Sequence, residues 1–140
     1  MIKAALFDLD GVVFDTESQY SVFWGMIGKE YHPEIPDFAQ IIKGQTLVQI
    51  YDKYFSDDKI FASKVNFCSV KDEQAKITAR LDEFEQNMSY NYIAGFEDFV
   101  KDLRNNGIKC AVVTSSNIPK MLNVYQQRPE FKDYFDRVLT

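Results

Sequence analysis

The chain has 140 residues, of which 46% are hydrophobic and 15% aromatic, enough apolar side chains for one core and a smaller second one. Its net charge of -5 argues against nucleic acid and anionic membranes as partners, because both attract basic surfaces. Cys68 and Cys110 show neither disulfide nor metal-site spacing, which favours the reducing cytoplasm. No run of eighteen apolar residues occurs, so no membrane-spanning helix is predicted and we expect a globular protein.

The first predicted element is a short buried strand. Residues Ala4–Leu9 form an almost uninterrupted apolar run that ends at Asp-Leu-Asp-Gly, as is typical of a buried parallel strand. Because side chains two apart along a strand point the same way, Asp8 and Asp10 should leave its carboxyl end together. Parallel sheets bind ligands at that end, and two carboxylates there can serve as nucleophile and general acid.

A helical segment is predicted to follow, because the apolar residues between positions 16 and 92 recur at intervals of three and four. The predicted helices are one that ends near Gly28, a short one over Phe38–Lys43, one from Leu47 behind the N-cap Thr46, and a long one over Lys71–Ser89. Residues 56–69 have no clear pattern. The helices would form a cap domain, residues 16–92, inserted into an α/β core made of residues 1–15 and 93–140.

The last third of the chain is predicted to alternate between helix and strand, the pattern of a parallel α/β sheet. The predicted elements are a helix from Phe96 that stops at Gly107, a strand over Ile108–Val113, a helix over Ile118–Gln127 and a third strand over Phe135–Leu139. The polar run from Thr114 to Asn117 can cap the helix that follows it. The predicted fold class is therefore a Rossmann-like α/β core with three parallel strands and an inserted helical bundle.

Two of these segments resemble signature motifs of a known family. The run Phe7–Val12, with Asp15 following, resembles the first motif of the haloacid dehalogenase superfamily. The run Val113–Ser116 is similar to the second motif in its β-phosphoglucomutase-like branch, which also carries a helical cap between the two motifs. The resemblance covers essentially the whole chain and implies a phosphatase that acts on a small phosphorylated metabolite such as a sugar phosphate. It implies that Asp8 attacks the phosphoryl group, while Asp10 protonates the leaving oxygen and then activates water.

The resemblance also implies a Mg²⁺ cofactor, held by the Asp8 carboxylate and the Asp10 backbone carbonyl. A carboxylate that approaches a phosphate meets like-charge repulsion, so a divalent cation and hydrogen-bond donors are needed there. Magnesium suits an all-oxygen site with few carboxylates. The Thr114 hydroxyl and the Ser115 amide, at the start of a helix, are suitable phosphate donors. Simple helix capping explains Thr114–Asn117 equally well when that segment is considered alone.

Other polar residues carry weaker signals. In this branch the cap segment that corresponds to Lys43-Gly44-Gln45-Thr46 faces the substrate, which implies an anion contact from Lys43 and a hydroxyl contact from Gln45. A loop that caps the Leu47 helix is at least an equal interpretation. The single histidine, His32, is predicted to lie on the surface without a ligand role, because no second His or Cys lies at metal spacing.

The sequence also departs from the family pattern. A lysine or arginine that stabilises the nucleophile and an acidic motif that completes the magnesium site are expected after the third strand, and neither occurs before Thr140. Lys120 is discounted as a substitute because it is predicted to lie a turn inside a helix. We therefore expect little phosphatase activity from the isolated 140 residues, and we expect the first strand to form an apolar sheet edge open to association.

Two alternatives to a phosphatase stay open. Mutases of this branch usually carry a cap histidine shortly after the Asp15 position and a cap arginine after the Lys-Gly pair, where this chain has Tyr20 and Val48. Both differences favour a phosphatase over a sugar phosphomutase. The other alternative is a non-catalytic module that binds phosphate or metal or uses its sheet edge for interaction. The sequence leaves the substrate, the oligomeric state and any cap motion open.

Overall fold

Three parallel strands form a sheet in the computed structural model, which describes residues 2–140. The strands lie in the order β1 (Ala4–Phe7), β2 (Lys109–Val113) and β3 (Arg137–Leu139). The α-helices are α1 (Glu17–Tyr31), α2 (Phe38–Ile41), α3 (Leu47–Tyr54), α4 (Val70–Gln86), α5 (Phe96–Asn105) and α6 (Ile118–Gln127). Short 3-10 helices lie at Asp58–Phe61 and Phe131–Tyr134. The predicted fold class, a three-stranded parallel α/β sheet with inserted helices, is confirmed.

The chain folds into two compact units. Residues up to Glu17 and Met88–Thr140 form the first, which contains the sheet together with α5 and α6. Residues Ser18–Asn87 form the second, which is entirely helical apart from its loops. None of the helices described between residues 2 and 140 combines the length and the apolar character needed to cross a bilayer.

The sheet buries one face and exposes the other. The register pairs Phe7 with Val112, and the Phe7 ring packs edge-on against Phe96 of α5, with ring centroids 5.7 Å apart. Leu6 lies on the opposite face of the edge strand β1 and is 71% exposed. The prediction of a buried first strand is therefore wrong for this face, because alternate side chains of β1 point away from α5. The prediction that β1 forms a sheet edge holds for the described residues.

The loop that follows β1 is anchored by apolar side chains and by backbone pairing. Leu9, Val13 and Phe14 are fully buried. The Ile93 amide donates to the Val13 carbonyl at 2.9 Å, and the Asp15 amide donates to the Asn91 carbonyl at 2.8 Å. Residues 91–93, which are far from the loop in sequence, thus hold it at the carboxyl end of β1.

Close packing in the helical unit explains one misplaced boundary. Helix α1 was predicted to end near Gly28, but it continues to Tyr31. A Cβ atom on Gly28 would lie only 2.6 Å from the Phe38 Cβ, so this glycine lets α1 approach α2 rather than ending the helix. The predicted N-cap Thr46 is confirmed, since its side chain accepts from the Gln49 amide in a capping box.

His32 is buried rather than on the surface as predicted, being only 7% exposed. Its ring stacks on Phe38, with centroids 5.6 Å apart. Nδ1 lies 2.7 Å from the Glu34 carboxylate and Nε2 lies 2.5 Å from the Tyr54 carbonyl. The surface position was predicted because the sequence around His32 is polar. In the fold, aromatic side chains from other segments enclose the ring, and both ring nitrogens have hydrogen-bond partners.

Candidate active site

Asp8 and Asp10 stand where β1 ends. Asp8 directly follows the strand and is exposed, and its Oδ1 accepts a hydrogen bond from the Leu9 amide at 2.8 Å. Leu9, between the two acids, is fully buried and anchors the pair to the core. The Asp10 side chain is 31% exposed. The two carboxylates therefore differ, since one faces solvent and the other is held by the protein.

Gly11 makes the turn that brings the chain back past these acids. Its φ of 77° lies in the left-handed region, and a Cβ there would come within 2.6 Å of the Glu17 carboxylate. The Gly11 amide donates to the Phe14 carbonyl at 2.9 Å, which closes the turn. The turn leads the chain to Thr16, directly before α1.

Two buried donors hold the Asp10 carboxylate, one on each oxygen. The Thr16 hydroxyl donates to Oδ1 at 2.7 Å, and the Lys120 ammonium donates to Oδ2 at 2.7 Å. Thr16 is fully buried and Lys120 is 5% exposed. We call Thr16 and Lys120 the Asp10 clamp.

The contact of Lys120 with Asp10 was not predicted from the sequence. This lysine was discounted only as a substitute for the cation that stabilises the nucleophile, and its contact with Asp10 does not test that expectation. Helix α6 begins at Ile118, so Lys120 lies in its first turn, and its side chain reaches Asp10 from there. One sequence feature could have indicated this contact. A lysine in the first turn of a helix is disfavoured by the helix dipole, which suggests that an anion lies nearby. Thr16 carried no comparable signal.

Thr114 and Ser115 follow the neighbouring strand. Because the last β1–β2 pair joins Phe7 to Val112, Asp8 and Thr114 both lie just beyond paired strand ends. Thr114 is 8% exposed, and its hydroxyl accepts from the Ser116 amide at 3.1 Å and donates to the Ser116 hydroxyl at 2.9 Å. Ser115 is exposed. Their assignment as phosphate donors stays a prediction.

Helix capping in this segment is confirmed at Asn117, whose side chain accepts from the Lys120 amide at 2.9 Å. The other two predicted contacts lie in the helical unit. Lys43 is exposed, and the Gln45 side chain donates to the Ile41 carbonyl at 3.3 Å. Their predicted contacts with substrate stay predictions.

The oxygen donors at β1 fit magnesium. No group of three or more His, Cys, Asp or Glu side chains that could hold a metal ion occurs within residues 2–140. Magnesium does not need such a group, since it keeps several waters and is usually held by one or two carboxylates together with substrate phosphates. The exposed Asp8 carboxylate suits this pattern, as does the Asp10 backbone carbonyl, which accepts no hydrogen bond from the described part of the chain.

Comparison with known proteins identifies the family. Residues 2–140 match the haloacid dehalogenase-like hydrolase family. The chain belongs to this family. The resemblance inferred from the two sequence motifs is thereby confirmed.

Solved structures of haloacid dehalogenase enzymes share the fold. A family IA hydrolase from Entamoeba histolytica matches 96% of this chain and 58% of its own, with a TM-score of 0.65 and 17% identity. CbbY from Rhodobacter sphaeroides, solved with xylulose-1,5-bisphosphate, matches 99% of this chain and 63% of its own (TM-score 0.62, 16% identity). A Thermotoga maritima protein assigned as a β-phosphoglucomutase matches 99% of this chain and 61% of its own (TM-score 0.62, 19% identity). The chain thus spans about three fifths of the length of these structures.

Proposed function

We propose that this haloacid dehalogenase-type hydrolase is a magnesium-dependent phosphatase that acts on a small phosphorylated metabolite, such as a sugar phosphate. The observation that carries the proposal is the pair of acids at the end of β1, with Asp8 exposed and Asp10 held by the clamp at both oxygens. Family membership supports hydrolysis, and CbbY, a protein of the same fold, was solved with a sugar bisphosphate.

The proposed chemistry divides the reaction between the two acids. An Asp8 oxygen attacks phosphorus, the bond from phosphorus to the ester oxygen breaks, and Asp10 in its acid form gives that oxygen a proton. The product is an aspartyl-phosphate on Asp8. Asp10 is then a carboxylate, and it takes a proton from the water that attacks phosphorus and frees Asp8.

The surrounding groups have supporting roles in this proposal. Magnesium, when bound by the Asp8 carboxylate and the Asp10 carbonyl, would reduce the repulsion between the nucleophile and the phosphate. The Thr114 hydroxyl and the Ser115 amide would donate to phosphate oxygens close to the start of α6. Lys43 and Gln45 would contact the rest of the substrate.

Transfer of a single phosphoryl group tests the proposal without requiring fast turnover. The chain is incubated with acetyl phosphate and Mg²⁺, and intact-mass spectrometry counts the phosphoryl groups gained. Acetate is a good leaving group, so the first step does not need the Asp10 proton. We expect the Asp10→Asn variant to accumulate one phosphoryl group, because hydrolysis of the phosphoryl group on Asp8 slows by about 10²- to 10⁴-fold when Asp10 is not there to act as the base.

Two controls complete the experiment. Asp8→Asn should gain no phosphoryl group, whereas Asp98→Asn, which changes an exposed acid of α5, should behave as the parent chain. Removal of Mg²⁺ with EDTA should stop the gain in every variant. A phosphoryl group gained by Asp8→Asn, or no phosphoryl group gained by Asp10→Asn, would contradict the proposal. Supplying a hexose 1-phosphate and comparing free phosphate with isomerised sugar then separates a phosphatase from a mutase.

A further inference from the structure

The buried position of Lys120 in the first turn of α6 is favoured neither by the helix dipole nor by hydration of its charge. It is the third residue of α6, where the dipole of the helix disfavours a cation. It is also 5% exposed, and burial of an ammonium group is costly unless the charge is paired. Its contact with Asp10, at 2.7 Å, supplies that pairing. The position of this lysine is therefore best explained through Asp10.

The clamp restrains the direction of the Asp10 carboxylate. Thr16 binds one oxygen from the segment before α1, and Lys120 binds the other oxygen from α6. Two donors on separate elements, one on each oxygen, restrict rotation about both side-chain bonds of the aspartate. Asp8 has a different environment, since its carboxylate is exposed and accepts from the adjacent Leu9 amide.

We propose that Lys120 is a positioning residue for Asp10, and that its ammonium, with the Thr16 hydroxyl, sets the direction in which the Asp10 carboxylate points. The effect on catalysis rests on the proposed function, whereas the effect on orientation does not. Sub-ångström placement of a proton-transferring group controls the rate, so the clamp would act on kcat rather than on substrate binding.

A purely structural role for the ion pair, as a link between the loop and α6, is less well supported. Leu9, Val13 and Phe14 are fully buried, and the backbone of Val13 and Asp15 is hydrogen-bonded to residues 91–93. The loop is thus held in place by contacts that Lys120 does not make. Removal of the ammonium should free the carboxylate while leaving the loop folded.

Orientation is measured directly by NMR in the full chain, without substrate. Three-bond couplings of the Asp10 β-protons report its χ1 rotamer populations. We expect a single rotamer in the parent chain, averaged couplings in Lys120→Met, and a single rotamer again in Lys120→Arg, which keeps the positive charge. Lys76→Met is the matched control, because it removes an ion pair to Glu73 (3.0 Å) without altering the clamp. Amide shifts of Val13 and Phe14 show whether the loop stays folded.

The catalytic effect is measured on the aspartyl-phosphate formed with acetyl phosphate and Mg²⁺, because its hydrolysis needs Asp10 as the base and requires only a single turnover. Lys120→Met should slow this hydrolysis by roughly 10- to 100-fold, and Lys120→Arg should recover most of that loss. A single Asp10 rotamer in Lys120→Met would overturn the proposal, as would averaged couplings with an unchanged rate of hydrolysis. Absence of any Asp8-dependent phosphoryl transfer would defeat the proposed function instead, and the couplings would still decide the role of Lys120.

Discussion

At the scale of single residues, Glu30 makes the helical unit sensitive to acid. Its carboxylate pairs with Lys64, and with Arg80 of α4 at 2.9 Å. Partial burial raises the pKa of Glu30, but these two cations outweigh that effect and hold the pKa below its ordinary 4.5. A carboxyl with a lowered folded-state pKa stabilises the fold above its unfolded pKa and loses that contribution as the pH falls through the folded one.

We therefore predict that Glu30→Gln lowers the free energy of unfolding by about 1 kcal/mol at pH 7. The difference from the parent chain should begin to shrink near pH 4.5 and should vanish below the folded-state pKa. Urea titrations followed by circular dichroism at neutral and acidic pH measure this difference. Glu83→Gln, which changes an exposed glutamate of the same unit, is the control for the loss of one negative charge. A Glu30→Gln difference that stays constant with pH would contradict the prediction.

The sequence predicted the positions of those candidate site residues whose placement depends on local structure. Asp8 and Asp10 were predicted because acids come directly after an apolar strand, and Asn117 was predicted because it lies at the start of a helix. The burial of His32 and the contact of Lys120 with Asp10 were not predicted, because distant segments form both environments. Lys120 meets an acid 110 positions earlier in the sequence, and His32 bonds to a carbonyl 22 positions later. Spacing along the chain does not encode such contacts.

At the scale of elements, α1 contains two glycines with different roles. A Cβ on Gly28 would meet the Phe38 Cβ at 2.6 Å, whereas a Cβ on Gly25 would find nothing within 4 Å. Overpacking costs about 1–3 kcal/mol, which exceeds the gain of roughly 1 kcal/mol that alanine brings to a helix. We predict that Gly28→Ala destabilises the chain and that Gly25→Ala stabilises it by up to about 1 kcal/mol.

Urea denaturation of both variants, monitored by Trp24 fluorescence, checks these opposite signs. The pair shares one helix and one chemical change, so the difference between the variants isolates the contact with Phe38. Equal effects of the two substitutions would show that α1 can move away from α2 at no cost.

Hydrophobic periodicity located the elements more reliably than their ends. All six α-helices and all three strands within residues 2–140 were predicted as elements. The end of α1 was misplaced because a glycine can mark either a helix stop or a close approach, and only the packing of Phe38 distinguishes the two. The first strand was predicted from apolar content alone, which does not show whether both faces of a sheet are covered.

At the scale of the whole molecule, the sheet presents an uncovered apolar face. Leu6, Val113 and Leu139 are 71%, 45% and 46% exposed, and the strand register places them on the same face. Within residues 2–140 that face ends at β1, an edge strand that pairs only with β2. Exposed apolar surface next to an open edge favours association between copies of a chain.

We predict that the chain self-associates as its concentration rises and that Leu6→Lys weakens this association. The substitution removes the most exposed of these three apolar side chains and puts a charge on the edge strand, where charges oppose pairing between strands. Sedimentation velocity over a range of concentrations measures the change. Leu122→Lys, which alters a leucine of α6 that is 61% exposed, should associate as the parent chain does. A parent chain that stays monomeric at every concentration would refute the prediction, and equal weakening by both substitutions would show that added charge, rather than the sheet face, controls association.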